Sequence, residues 1–580
     1  MKKLMLGNEA VARGIYEAGV TVVSSYPGTP STEVTEFIAK KYDEIYCEWA
    51  CNEKVAAEVA IGASFGGARS MTAMKHVGLN VAADPLYTAS YTGVNGGMVA
   101  VVADDPGLHS SQNEQDTRNH GKAAKIPVIE PSDSEECKEF TRMAFDFSEK
   151  FDTPVILRLT TRVAHSQSMV EEGERADYQL KEVEKNPGKY VMMPAMAKQR
   201  HVVVEKRCDD IAEYGYDCPF NKIEMGDTKI GVITCGISYQ YAKEALPGAS
   251  FLKLGITYPI SEKLIKEFAS KVEKIYVIEE LDSFIEDYCK SIGVNVIGKE
   301  IFTRLGEYNP QMIKKAILGV DSPETITVDE EIPVRPPVMC PGCPHRGMYY
   351  ILKKLKLRVC GDIGCYTLGA LAPLSSLDYC VCMGAGIGMA HGMEKARGTE
   401  FSEKLVAVIG DSTFIHSGIT GLIDVVYNKG VSTVIILDNS ITGMTGHQQN
   451  PTTGYTIRGE ETRNVDLVKL TNAVGIERVV VADPFDLENF EKVVREETAA
   501  NEPSVIISQR PCALLKTVNY GAPCVIDEDK CKNCKMCMGL GCPAISVVDG
   551  KITIDASQCN GCTLCMNVCK FGAIRKAGEE

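Results

Sequence analysis

A multidomain α/β protein, with doubly wound parallel sheets and a small α+β tail, is the fold class that the sequence predicts. Three observations carry it. Runs rich in β-branched residues alternate with helix-length segments, the pattern of parallel strands joined by crossover helices. One stretch, from Leu405 to Gly446, reads as a complete βαβ unit. Eight of the 23 cysteines fall between Cys531 and Cys569, a density that sets the tail apart from the sheet domains.

In the βαβ unit the strands are expected at 405–409 and 431–437, within LVAVIGDSTF and VSTVIILDNSITGMTG. Ligands of open α/β sheets lie outside the carboxyl ends of the strands. Those ends carry Gly410, Asp411 and Ser412 and, 28 residues past Asp411, Asn439. A carboxylate and an amide oxygen on neighbouring strand tips, beside backbone N–H groups, suit Mg²⁺ holding a diphosphate. Two buried strands ending in ordinary turns would share the same spacing. GDS…LDNSIT, however, resembles the thiamine diphosphate (ThDP) motif, in which GDG and a downstream Asn mark the Mg²⁺–diphosphate site. The resemblance implies Asp411 and Asn439 as side-chain ligands and the carbonyl of Ile441 as a backbone ligand. It also places Gly410, Ser412 and Thr442 around the cofactor. Ser412 departs from the motif's last glycine, and Asp438 stands where many members have a second Asn.

At 580 residues the chain has room for three or four domains. Its 44% apolar and 24% charged content is that of a soluble globular protein. A net charge of −15 argues against a nucleic-acid binder. In MKKLMLGNEA, Asn8 and Glu9 cut the apolar stretch too short for a signal peptide. The longest uncharged run, Pro85 to Ala103, holds too much Gly, Ser, Thr and Asn for a membrane helix. A cytoplasmic protein without membrane contact is expected. Disulfides are disfavoured there, so metal binding is the default use of the cysteines.

Taken in order, residues 1–175 read as α/β, with a helix from Asn8 to Ala18, the strand TVVSSY and the turn PGTPS. Helices are expected at 31–41 and 52–64, and strands at 98–103 and 153–159. NEKVAAEVAIGASFGGAR resembles the helix of the ThDP pyrimidine-binding domain that carries the activating glutamate. That resemblance assigns the role to Glu53, with Glu48 and Glu58 as neighbours that compete for it. The chemistry needs a carboxyl group hydrogen-bonded to N1′ of the aminopyrimidine. YPGTPS (26–31) resembles an element of the 2-oxoacid:ferredoxin oxidoreductases that lies beside the substrate. Thr29 is therefore a candidate donor to the substrate, and Gly28, in place of a larger residue, leaves room for a bulky side chain. Lys75 and His76 are either anion-binding groups or exposed loop charges. The polar loop 103–118 is long enough to be functional.

Residues 171–226 are charged and read as an irregular connection. A second α/β pattern follows, with strands in KIGVITCG (229–236), FLKLG (251–255) and KIYVIEE (274–280). It resembles the transketolase C-terminal-like domain of the same enzymes, and residues 176–330 are assigned to it with the connection. Prolines at 333, 336 and 337 mark a boundary. A diphosphate domain (331–522) opens with CPGCPHR (340–346) and GDIGCYTLG (361–369). Cysteines at C-x₂-C spacing suit zinc, a redox pair or iron–sulfur ligands alike. The family resemblance implies a third cluster beside ThDP, on Cys340, Cys343, Cys365 and Cys512. His345 either faces the cofactor or packs. VCMGAGIGMAHG resembles a weak dinucleotide fingerprint, but it fits better as a close-packed helix near the cofactor, with Gly384 at its start. TGMTGHQ (442–448) resembles a family loop, in which His447 is a candidate substrate contact.

In the tail (523–580), Cys531-x₂-Cys534-x₂-Cys537-x₄-Cys542-Pro543 is followed by Cys559-x₂-Cys562-x₂-Cys565-x₃-Cys569. The halves repeat at an offset of 28 residues. This is the bacterial two-cluster ferredoxin pattern, in which each fourth cysteine crosses to the other cluster. One [4Fe–4S] cluster is expected on Cys531, Cys534, Cys537 and Cys569, the other on Cys559, Cys562, Cys565 and Cys542. Structural zinc is the alternative.

ThDP releases CO₂ from 2-oxo acids, and only an enzyme that removes electrons singly needs iron–sulfur centres beside it. The domain order resembles, over the full length, the large (alpha) subunits of the aryl-pyruvate branch of the 2-oxoacid:ferredoxin oxidoreductases. The resemblance implies oxidative decarboxylation of indolepyruvate and phenylpyruvate to the aryl-acetyl-CoA, with CoA as acyl acceptor and external ferredoxin as electron acceptor. It also implies a smaller beta subunit, gamma-domain-like, in an alpha2beta2 assembly. The alternatives are another 2-oxo acid, such as pyruvate or a branched-chain one, and an electron-transfer subunit without ThDP chemistry.

Overall fold

The computed structural model describes residues 2–183, 185–321 and 328–579. Its contacts divide the chain into two compact units, Met1–Asp329 and Glu330–Glu580.

In the first unit a seven-stranded sheet has the order Ile256–Tyr258, Val128–Ile129, Val155–Thr160, Met98–Asp104, Ser70–Lys75, Val22–Ser25, Tyr46–Trp49. All neighbours are parallel except the edge strand Ile256–Tyr258, which runs antiparallel to Val128–Ile129. The central strands are buried on both faces, which is why they read as unbroken apolar runs rather than alternating ones. A four-stranded sheet follows, in the order Ile275–Ile278, Asp227–Cys235, Ala249–Leu254, Lys222–Glu224. A buried ionic lattice ties the two sheets together. Arg158 bonds Asp104 (2.7 Å) and Glu130 (2.6 Å), and Arg118 bonds Asp116 and Glu279 at 2.5 Å each. Such charges hold only because each is paired, and the pairing specifies one register between the sheets.

The connection expected to be irregular contains a 21-residue helix, Pro194–Tyr214. It buries only Val204, Arg207 and Ile211, and Arg207 donates to the carbonyl of Ser90 at 2.7 Å. With so narrow an apolar stripe the helical period is nearly absent from the sequence.

The second unit is built on a parallel five-stranded sheet, in the order Arg358–Cys360, Leu405–Gly410, Thr433–Asp438, Ser504–Gln509, Arg478–Ala482. Gly410 and Leu437 are register partners, so the two expected strand tips lie side by side. Between these strands the chain makes a π-type turn, Phe414–Gly418, before the helix Ile419–Tyr427. Such turns are common where a strand end is shaped for a ligand. In the tail, two-stranded ribbons pair Cys524–Ile526 with Ile574–Lys576 and Ile545–Val548 with Lys551–Ile554. Among the described residues no helix is long and apolar enough to cross a membrane.

Candidate active site and iron–sulfur module

Asp411 begins the turn after its strand and is buried. Its Oδ1 accepts the Ser412 N–H (2.7 Å), and its Oδ2 accepts the Thr452 hydroxyl (3.2 Å). Burial, then the charge of Asp438, pushes its carboxyl up to about 7. Asp438 is itself turned aside, accepting from Gln509 (2.8 Å) and the Ser440 N–H (3.1 Å). Asn439 donates through Nδ2 to His345 Nε2 at 3.5 Å, which turns the amide oxygen away toward the Ile441 N–H (3.2 Å). His345 is buried and pushed down to about 4 by burial, so it is neutral and able to accept. It therefore packs against Asn439 and orients it. Thr442 accepts from Asn450 (3.2 Å), whose own oxygen accepts the Thr452 hydroxyl (2.6 Å), a polar chain that ends on Asp411.

The scaffold beneath is one the sequence reading missed. Asp362, buried and raised by burial, accepts the Gly384 N–H (2.8 Å) and the Tyr366 hydroxyl (2.6 Å). Tyr366 in turn accepts the Gly410 N–H at 3.0 Å. One carboxylate thus aligns both glycine corners. Gly384 caps the helix Ala385–Arg397 at φ 83°, and a Cβ there would lie 2.2 Å from Ser417 Oγ. Only glycine allows that approach. The signal lies in GDIGC, where Asp362 stands three residues before Cys365.

These residues fit a Mg²⁺–diphosphate group. A divalent cation against Asp411 would reverse the desolvation that raises it. Asn439 sits on the neighbouring strand tip and would offer its amide oxygen, and a helix start with a glycine cap suits the phosphates.

Glu53 is the first residue of the helix Glu53–Phe65, which Asn52 caps by accepting the Val55 N–H at 2.9 Å. It is buried, and a Cβ on Gly78 would come within 2.5 Å of its carboxylate. Glu58 is exposed and paired with Lys54, while Glu48 accepts from Ser24 (2.8 Å) and Tyr46 (2.6 Å). Thr29 is half-buried and His447 lies on an exposed turn at φ 68°. A Cβ on Gly28 would stand 3.0 Å from that of Lys75, so the two strand ends approach closely here. Lys75 and His76 are not exposed loop charges. Lys75 is buried, lowered by that burial to about 8, and donates to the Ser110 carbonyl at 2.6 Å. His76 is buried against the Asn113 carbonyl at 3.1 Å. The polar loop thus packs on both.

The cysteines gather in three groups. Cys340, Cys343 and Cys365 lie near one another, and Cys512 lies near Cys340 and Cys365. The Cys512 N–H bonds the Asn439 carbonyl at 2.9 Å, tying this group to the strand end. A cavity of about 360 Å³ is lined by Cys531, Cys534, Cys537 and Cys569. Another of about 420 Å³ is lined by Cys542, Cys559, Cys562 and Cys565, with Cys524 beside them. The fourth cysteine of each half therefore crosses over. Arg346 is buried between the first and last groups, bonding the carbonyls of Met339, Cys340, Leu540 and Gly541.

Together the fold and these sites define a thiamine-diphosphate-dependent 2-oxoacid oxidoreductase with an iron–sulfur module. Residues 362–508 match the thiamine pyrophosphate enzyme C-terminal TPP-binding domain. Residues 13–217 match the thiamine-diphosphate-binding domain of pyruvate flavodoxin/ferredoxin oxidoreductase, and 551–574 a 4Fe-4S binding domain. Indolepyruvate oxidoreductase subunit IorA of Archaeoglobus fulgidus is 39% identical, over 99% of this chain and 98% of that protein. Its counterpart from Pyrococcus horikoshii is 40% identical over 100% and 97%. A solved 2-oxoglutarate:ferredoxin oxidoreductase from Magnetococcus marinus aligns with 55% of this chain and 65% of its own, at TM-score 0.46 and 20% identity. The chain belongs to the family of the IorA subunits of indolepyruvate oxidoreductase.

Proposed function

We propose that the protein carries out oxidative decarboxylation of aryl pyruvates, indolepyruvate and phenylpyruvate, to the aryl-acetyl-CoA and CO₂, passing electrons to ferredoxin. The near-full-length similarity to the IorA subunits is the observation that carries the substrate class. ThDP, when bound, supplies the carbanion chemistry of decarboxylation. Asp411, Asn439 and the Ile441 carbonyl hold its Mg²⁺, and Gly384, Gly410, Ser412 and Thr442 surround the diphosphate. Glu53 would hydrogen-bond the aminopyrimidine N1′ through its carboxyl group. Thr29 donates to the substrate, and His447 is available to it from its turn. Cys340, Cys343, Cys365 and Cys512, the Cys559 group and the Cys531 group would hold three [4Fe–4S] clusters, which would supply one-electron transfer to ferredoxin. A smaller beta subunit completes an alpha2beta2 assembly, and the enzyme works in the cytoplasm.

The test is CoA-dependent ferredoxin reduction by the complex with indolepyruvate, phenylpyruvate, pyruvate and 2-oxoglutarate. The aryl pyruvates are expected to give the highest kcat/KM, and a preference for pyruvate would overturn the substrate class. Glu53→Gln is expected to abolish CO₂ release while leaving the cluster spectra unchanged. Retained release would remove Glu53 from its role.

A further inference from the structure

The 420 Å³ cavity has one sulfur more than its pattern requires. Cys524 enters from the strand Cys524–Ile526, seven residues before the motif begins at Cys531. It is 1% exposed, and its backbone N–H donates to Cys559 Sγ at 3.3 Å. It lines the same cavity as Cys565 and Cys559. The strand is fixed by antiparallel pairing with Ile574–Lys576, which directs the side chain inward. The companion 360 Å³ cavity is lined by its four motif cysteines and by no fifth among the described residues. A [4Fe–4S] cluster takes four thiolates, so one of five is spare.

We propose that Cys524 is a reserve ligand of the pocket formed by Cys542, Cys559, Cys562 and Cys565, able to take over the iron of Cys565 or Cys559 when that thiolate is lost. The inference rests on the reading that both tail cavities hold clusters. Substitution of one thiolate for another at the same iron leaves cluster charge and electron count unchanged, so no oxidant or reductant is required. Position supports the two named exchanges, since Cys524 lines the cavity with both cysteines and its backbone N–H is bonded to the Cys559 sulfur. It also confines the reserve to the cavity walled by Pro341, Gly342 and Arg346, on the side of the cofactor domain.

The experiment uses the full chain, purified anaerobically, with iron and sulfide content and EPR of the dithionite-reduced protein as readouts. Cys524→Ala is expected to keep the wild-type iron content. Cys565→Ala and Cys559→Ala are each expected to keep it too, with altered EPR signals from one cluster. Cys524→Ala/Cys565→Ala is expected to lose about four irons. Cys537→Ala, in the cavity without a reserve, is expected to lose iron as a single variant. The proposal is overturned if Cys565→Ala and Cys559→Ala lose as much iron as Cys537→Ala. It is equally overturned if they fail to accumulate while Cys537→Ala folds. If instead the wild-type tail contains no [4Fe–4S] signal, the underlying cluster reading is what fails.

Discussion

The cavity lined by Cys559, Cys562, Cys565 and Cys542 is walled by Pro341, Gly342 and Arg346 of the cofactor domain. The one lined by Cys531, Cys534, Cys537 and Cys569 is walled by Lys532, Lys535 and Phe571, and those three side chains are exposed. One repeat therefore produces an inner and an outer pocket. Asn560 donates to the Pro341 carbonyl at 3.0 Å, fastening the inner loop to the CPGC turn. On the proposed reading, electrons would enter where the walls belong to the cofactor domain and leave where lysines face solvent. Exposed lysines beside a redox centre favour an acidic partner, through encounter rate more than through final affinity.

The largest effect is expected upstream of both pockets. Asp411→Asn should lower turnover at least about 100-fold by weakening the Mg²⁺ site. Iron content of both pockets should stay unchanged, and a fall would break the separation of cofactor end from cysteine end. The same carboxyl supplies a pH test. Because it is raised to about 7, Mg²⁺ must displace a proton below that pH. Apparent Mg²⁺ affinity, measured by titration, should fall about tenfold per pH unit below 7 and level off above it. The stability of the cation-free protein should run the other way. The folded state favours the protonated form, so stability present at low pH is lost as pH rises through about 7.

Next in size is Arg346→Met, which leaves four carbonyls without their donor. The expected cost is about 3 kcal/mol or more, read as a lowered midpoint of thermal unfolding. EPR signals of the inner pocket should change while those of the outer pocket stay as they were. Equal change in both would remove the distinction between them. The smallest effect is expected for Lys532→Glu with Lys535→Glu. Ferredoxin reduction at low salt should slow about tenfold and the gap should shrink as salt is added. CO₂ release with a small dye as acceptor should be unaffected. A ferredoxin rate that does not change would mean that electrons leave elsewhere.

Much of this was legible without coordinates, and for a local reason. The tail spacing, the GDS…Asn strand ends and the buried runs at 405–409 and 431–437 are all short-range patterns, because pleat, turn and cluster geometry act over a few residues. The sequence by itself thus determined the two central strands of the second unit's main sheet, the grouping of the tail cysteines and the place of Asp411 and Asn439 on neighbouring strand tips. Tertiary packing decided the rest. Asp362, 22 residues from Gly384 and 48 from Gly410, aligns both through two hydrogen bonds and a tyrosine. His345 meets Asn439 across 94 residues, Lys75 is buried under the loop at Ser110, and Cys524 reaches a motif it is not part of. No periodicity records such meetings, because burial and hydrogen bonding depend on what the fold brings alongside and not on the neighbours in the chain.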